Sequence, residues 1–154
     1  MTLLYLYYVF TLTFKYNGTA PDWQVQRCNV SGVWLNELGS VLNLSADGPR
    51  LSGTFHSSVE SSSGATGEGM IGKVLGIVGQ SDQPTFTMSV LWEGGSVSTW
   101  AGQCFLQSHH PVLRTIWLLR TEASSEDQNW SATRIGENTF HPKKPRHNQP
   151  SGSK

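Results

Sequence analysis

Five of the six tryptophans, Trp34, Trp92, Trp100, Trp117 and Trp130, are spread through the body of the chain. Indole rings bury a large area at small rotamer cost, so they suit either a core or the walls of a small-ligand pocket. A single tryptophan is most simply core filling, and Asn36, Ser40, Ser57, Ser96, Ser98 and Asn138, each taken alone, read as turn or surface residues. Catalytic patterns are missing from the sequence. There is no Gly-rich phosphate loop, no nucleophile elbow, and no His or Cys spacing suited to zinc. His56 falls on a strand face, His109-His110 in a turn, and His141 and His147 in a tail, which reads as solvated histidine. The chemistry on offer is binding, and the chain is expected not to be an enzyme and to need no cofactor or metal.

The elements that must position these residues are short strands. Turn signals recur from residue 30 to residue 140, with Asp47-Gly48-Pro49, Gly94-Gly95 and His109-His110-Pro111 the clearest. Strands are expected at 33–35, 41–44, 51–59, 70–78, 85–92, 97–107, 112–121 and 129–135, with Gly53 at a bend or bulge. Consecutive hairpins of this kind predict an all-β fold, an eight-stranded antiparallel up-and-down β-barrel. Such a barrel leaves no exposed edge and has room for one small ligand. On pattern alone a lipocalin-like carrier of another small ligand fits as well.

The ends read differently from the body. Residues 3–14 form an apolar run of twelve, too short to span a bilayer, ending near Gly18-Thr19-Ala20. Residues 1–20 are therefore expected to be a secretory signal, with a membrane anchor or a misassigned start as the alternative because no Lys or Arg precedes the run, and 21–27 an N-terminal extension. In an oxidising compartment Cys28 and Cys104 would be bonded; two buried thiols are the alternative. Sequons at Asn29-Val30-Ser31, Asn43-Leu44-Ser45 and Asn129-Trp130-Ser131 fit an exported glycoprotein. Eleven basic and eleven acidic residues balance overall, and that balance names no nucleic-acid or membrane partner. Residues 21–140 nonetheless carry six basic against eleven acidic groups, a balance of −5. Residues 141–154 add Lys143, Lys144, Arg146 and Lys154 without hydrophobic periodicity, and are expected to be a disordered basic tail.

Three segments distinguish among barrels. The first is Cys28-Asn29-Val30-Ser31-Gly32-Val33-Trp34-Leu35-Asn36-Glu37-Leu38-Gly39-Ser40. The second runs from Gln83-Pro84-Thr85-Phe86 through Trp92 to Ser98-Thr99-Trp100-Ala101-Gly102-Gln103-Cys104. The third joins Leu113-Arg114-Thr115-Ile116-Trp117-Leu118-Leu119-Arg120 to Trp130-Ser131-Ala132-Thr133-Arg134-Ile135-Gly136 and Asn138. In this order and spacing the chain resembles the avidins over 28–140, which becomes the expected barrel domain.

The resemblance implies biotin as ligand and partner. Trp92, Trp100 and Trp117, with Leu119, would wall its apolar body, while Trp34 stays structural and plugs one end. Asn36 and Ser40 would donate to the urea carbonyl. Ser57 and Asn138 would accept the urea N–H groups, and Ser98 would meet the thioether. Ser96 and backbone N–H groups around Ser61 and Ser62 would hold the carboxylate. Trp130 would cap the pocket of an adjacent subunit in a homotetramer, so the Asn129 sequon beside it is expected to be unused. Phe55 stands where the family has a tyrosine, removing one donor to the urea oxygen. Glu60 and the short Gly94-Gly95 turn also depart from the pattern, so binding weaker than in the tightest avidins is expected.

Overall fold

The computed structural model describes residues 26–59 and 70–144. The expected secretory signal, Glu60, Ser61, Ser62 and most of the basic tail lie outside the described residues. Eight strands follow one another: β1 (Gly32–Asn36), β2 (Val41–Asp47), β3 (Arg50–His56), β4 (Ile71–Val78), β5 (Thr85–Leu91), β6 (Val97–Gln107), β7 (His110–Arg120) and β8 (Thr133–Pro142). Each pairs antiparallel with the next, and β1 pairs with β8 to close the barrel. This is the up-and-down barrel that the sequence predicts. No helix among the described residues is long and apolar enough to cross a membrane.

Side-chain alternation separates inside from outside. In β5, Phe86, Met88 and Val90 are buried while Thr85, Thr87, Ser89 and Leu91 are exposed. The same period of two buries Leu42 and Leu44 in β2, Leu51 and Phe55 in β3, and Leu113 in β7. Trp34 is 2% exposed, and its Nε1 donates to the Val30 carbonyl at 2.9 Å. It fills one end of the barrel as a plug.

Near the plug, Cys28 and Cys104 form a disulfide across 76 positions. By closing so long a loop it stabilises the fold by roughly 4 kcal/mol in the chain-entropy account. The Cys28 N–H donates to the Asp82 carbonyl at 2.7 Å and the Cys104 N–H to the Pro84 carbonyl at 2.9 Å. The segment before β1 is thereby tied to the β4–β5 connection.

Several boundaries, and the expected bulge at Gly53, differ from the sequence reading. The strand expected at 51–59 ends at His56. The β6–β7 turn is Ser108-His109, both at positive φ (48° and 67°), and His110 and Pro111 already pair within β7. A two-residue turn of that hand matches the twist of its strands. The last strand does not begin at residue 129. Residues Glu126–Ser131 form a short 3-10 turn, and β8 runs on through His141 and Pro142, which the sequence assigned to the tail. Those two residues are held by pairing with Leu35 and Trp34 of β1. Gly53 is no bulge. It sits in regular register opposite Leu44 and Val74, where an added Cβ would lie 1.8 Å from the Asn43 carbonyl oxygen. Close approach of the β2 backbone requires glycine there.

Candidate ligand-binding site

At the end opposite the plug, the barrel holds a cavity of about 210 Å3. Strand parity sets its walls. Residues directly opposite on neighbouring strands share a face, so β6, β7 and β8 contribute rows. One row is Ser98, Leu119 and Arg134; the next is Trp100, Trp117 and Gly136; the third is Gly102, Thr115 and Asn138. Glycine at 136 makes room for Trp117, because a Cβ there would fall 2.5 Å from the indole Cζ2. Phe55 is 4% exposed and packs on three rings. Its centroid lies 5.9 Å from that of Trp92, 5.1 Å from Trp100 and 6.3 Å from Phe140.

The polar lining is wired so that each group has a defined role. Asn36 Oδ1 accepts the backbone N–H groups of Ser40 (2.8 Å) and Leu38 (3.1 Å). Since those partners can only donate, the amide Nδ2 is left as its donor. Asn138 is fixed the opposite way. Its Nδ2 donates to Glu37 Oε1 at 2.8 Å and its Oδ1 accepts Trp100 Nε1–H at 3.3 Å, leaving one lone pair on Oδ1. Ser57 Oγ–H donates to the Val59 carbonyl at 2.5 Å, so this hydroxyl has acceptor capacity for another group. Ser98 Oγ accepts Trp92 Nε1–H at 2.9 Å and keeps its own hydrogen to donate.

Ser40 Oγ is engaged twice by Ser58, whose backbone N–H it accepts at 3.1 Å. Ser58 Oγ donates to the Leu38 carbonyl at 2.6 Å, so the Ser40 hydrogen points to Ser58 Oγ at 3.1 Å, a long O–H···O separation. A better acceptor can draw it away.

Glu37 acts from outside the cavity. Besides holding Asn138, its Oε2 accepts the Thr139 N–H at 3.0 Å. Burial against β8 pushes its carboxyl up. The Asn138 amide, a backbone N–H of its own, the Thr139 N–H and the charge of His141 outweigh this and hold it below the ordinary value of 4.5.

Asn36, Ser40, Phe55, Ser57, Trp92 and Ser96 of the sequence-derived set all line this cavity. So do Ser98, Trp100, Trp117, Leu119 and Asn138. Trp130 does not; it stands 82% exposed on the 3-10 turn, away from its own chain's cavity. Ser61 and Ser62 fall outside the described residues. Sequence reasoning missed three lining residues: Leu38, Val59 and Arg134. Arg134 shares the parity of Asn138 on β8, a signal that could have found it.

A tryptophan-walled cavity with this donor and acceptor set sits in a chain that matches the Avidin family over residues 24–143. The chain belongs to the avidin family. Avidin of Gallus gallus is 33% identical over 125 residues, covering 79% of this chain and 82% of that protein. Among solved avidin-family structures, xenavidin is 36% identical with a TM-score of 0.69, covering 76% of this chain and 99% of its own. A biotin-binding protein from chicken is 33% identical with a TM-score of 0.70, covering 77% and 99%.

Proposed function

We propose that this protein is a secreted, non-catalytic biotin binder that works as a homotetramer, each Trp130 closing a neighbour's pocket. The wired cavity carries the reading. A urea needs donors at its oxygen and acceptors at its two N–H groups, and the lining supplies Asn36 Nδ2 and Ser40 Oγ against Ser57 Oγ and Asn138 Oδ1. Ser98 has a hydrogen to offer a thioether. Because these groups are oriented before the ligand arrives, little ordering cost falls on binding. The rings of Trp92, Trp100, Trp117 and Phe55 cover the apolar body.

Assembly is supported by what the barrel leaves outside. Ile116, Leu118 and Ile135 are exposed on β7 and β8, Leu118 directly opposite Ile135, and Trp130 is exposed on the turn that precedes β8. Contiguous apolar surface of this kind favours a partner, and here the partner is a second copy. Asn29, Asn43 and Asn129 are exposed, which suits glycosylation at the first two. Asn129 Oδ1 and carbonyl both accept from Arg120, and a glycan there would crowd the Trp130 interface. The disulfide supports export to an oxidising compartment.

Phe55 keeps the wall and lacks a hydroxyl, so the urea oxygen has one donor fewer and affinity falls short of the tightest avidins. Retention on immobilised biotin with release by free biotin is the deciding experiment. Failure to be retained would remove the reading.

A further inference from the structure

Trp130 stands on a turn that has little of its own to hold it. Glu126–Ser131 is six residues of 3-10 geometry with no buried residue, and its N-cap, Ser125, makes no side-chain hydrogen bond. Short 3-10 pieces have poorer hydrogen-bond geometry than an α-helix, and one without a buried face opens readily. An indole 82% exposed on such a turn samples many directions unless a group outside the turn fixes the backbone beneath it.

Arg120, the last residue of β7, is that group. Its Nη1 donates to the Asn129 carbonyl at 3.3 Å and to Thr133 Oγ1 at 2.9 Å, and its Nη2 donates to Asn129 Oδ1. One guanidinium thus grips the residue before Trp130 and also the first residue of β8, which it faces in register. The Thr121 N–H closes the same stretch by donating to the Ala132 carbonyl at 2.9 Å. Glu122 and Glu126 line the groove in which Arg120 lies, yet these three bonds of its side chain go to neutral oxygens of the turn and its exit. A planar fork that reaches both the carbonyl and the amide oxygen of one residue sets an orientation, which a point charge does not.

We propose that Arg120 is a positioning residue for the lid: by gripping Asn129 it fixes Trp130 in the direction that closes a neighbour's pocket. This rests on the reading of Trp130 as a shared lid. Ordering the turn before the subunits meet removes that cost from association. The effect falls on how long ligand is retained, since a loosened lid lets it leave sooner.

Biotin dissociation rates of the full chain test this in Asn129→Ala, Asn129→Asp and Arg120→Lys, each alone and combined with Trp130→Ala. Both Asn129 changes remove the sequon, so a glycan cannot account for a difference between them. Asn129→Ala and Arg120→Lys should each speed release by about threefold to tenfold. Asn129→Asp, whose carboxylate still accepts the fork, should stay near the wild-type rate. With Trp130→Ala in place the Asn129→Ala effect should disappear, because the clamp acts only through the lid. Asn129 is exposed, so the barrel tolerates its replacement. Unchanged release in Asn129→Ala would overturn the proposal, as would Asn129→Asp releasing as fast as Asn129→Ala. The same acceleration with and without the Trp130 ring would also overturn it, by assigning Arg120 to the fold alone. Release at the wild-type rate in Trp130→Ala itself would remove the shared-lid reading, and the clamp with it.

Discussion

Phe55 and Glu37 set the quality of the site from opposite sides. Phe55 packs on Trp92, Trp100 and Phe140 and contributes only its apolar ring. Restoring a hydroxyl with Phe55→Tyr should tighten biotin by about one to two orders of magnitude, the worth of one buried hydrogen bond, measured by calorimetry. No gain would mean that the urea oxygen already has its full set of donors. Glu37 holds the Asn138 amide in place, and its depressed carboxyl gives that hold a pH dependence. The sign follows from the direction of the shift: the stabilisation is complete above the ordinary value of 4.5 and is lost as the pH falls below it, through the lower folded value. Biotin affinity followed from neutral to acid pH should therefore fall in the wild type. In Glu37→Gln the loss should be flatter, starting from an affinity about twofold to tenfold weaker, because a neutral acceptor holds the amide less firmly. Parallel pH curves for the two proteins would remove Glu37 from the account.

The strands present these residues through parity and close approach. Gly136 is the sharpest case, since a methyl group there meets the Trp117 ring at 2.5 Å. Gly136→Ala should cost about 1–3 kcal/mol of stability by overpacking and displace Trp117. Thermal unfolding would register the first effect and a larger biotin dissociation constant the second. Unchanged affinity would show that Trp117 can shift without leaving the wall. The strands were legible in turn signals and alternation, and most of the lining in the resemblance to the avidins, whose motifs mark the positions that face the ligand. What escaped was set by the third dimension. The 3-10 turn at Glu126–Ser131 replaces the expected start of β8, with Arg120 bonded to Asn129 and the Thr121 N–H to the Ala132 carbonyl. Pro142 reads as tail until Trp34 is known to lie beside it. Leu38 and Val59 carry no local pattern that ties them to a pocket; they line it because loops and strand ends converge at the mouth, whereas Arg134 has only its parity with Asn138 to mark it.

At the scale of the whole molecule, a closed barrel has no strand edge to offer a partner, so association must use its outer faces and its loops. Trp130 is the loop element suited to that task. Trp130→Ala should weaken biotin binding and shift the assembly toward smaller species, read by light scattering at several dilutions. Affinity and mass both unchanged would confine each pocket to its own chain.

The contrast between Trp34, 2% exposed, and Trp130, 82% exposed, also provides an intrinsic optical signal. A solvated indole emits to the red and is open to acrylamide, whereas one sealed in a barrel is neither. Subunit association should therefore turn the emission of Trp130 bluer and protect it from quenching, with the Trp130→Phe spectrum subtracted to isolate it. Assembly can then be titrated in the unlabelled protein and separated from pocket occupancy, which alters the rings of Trp92, Trp100 and Trp117 instead.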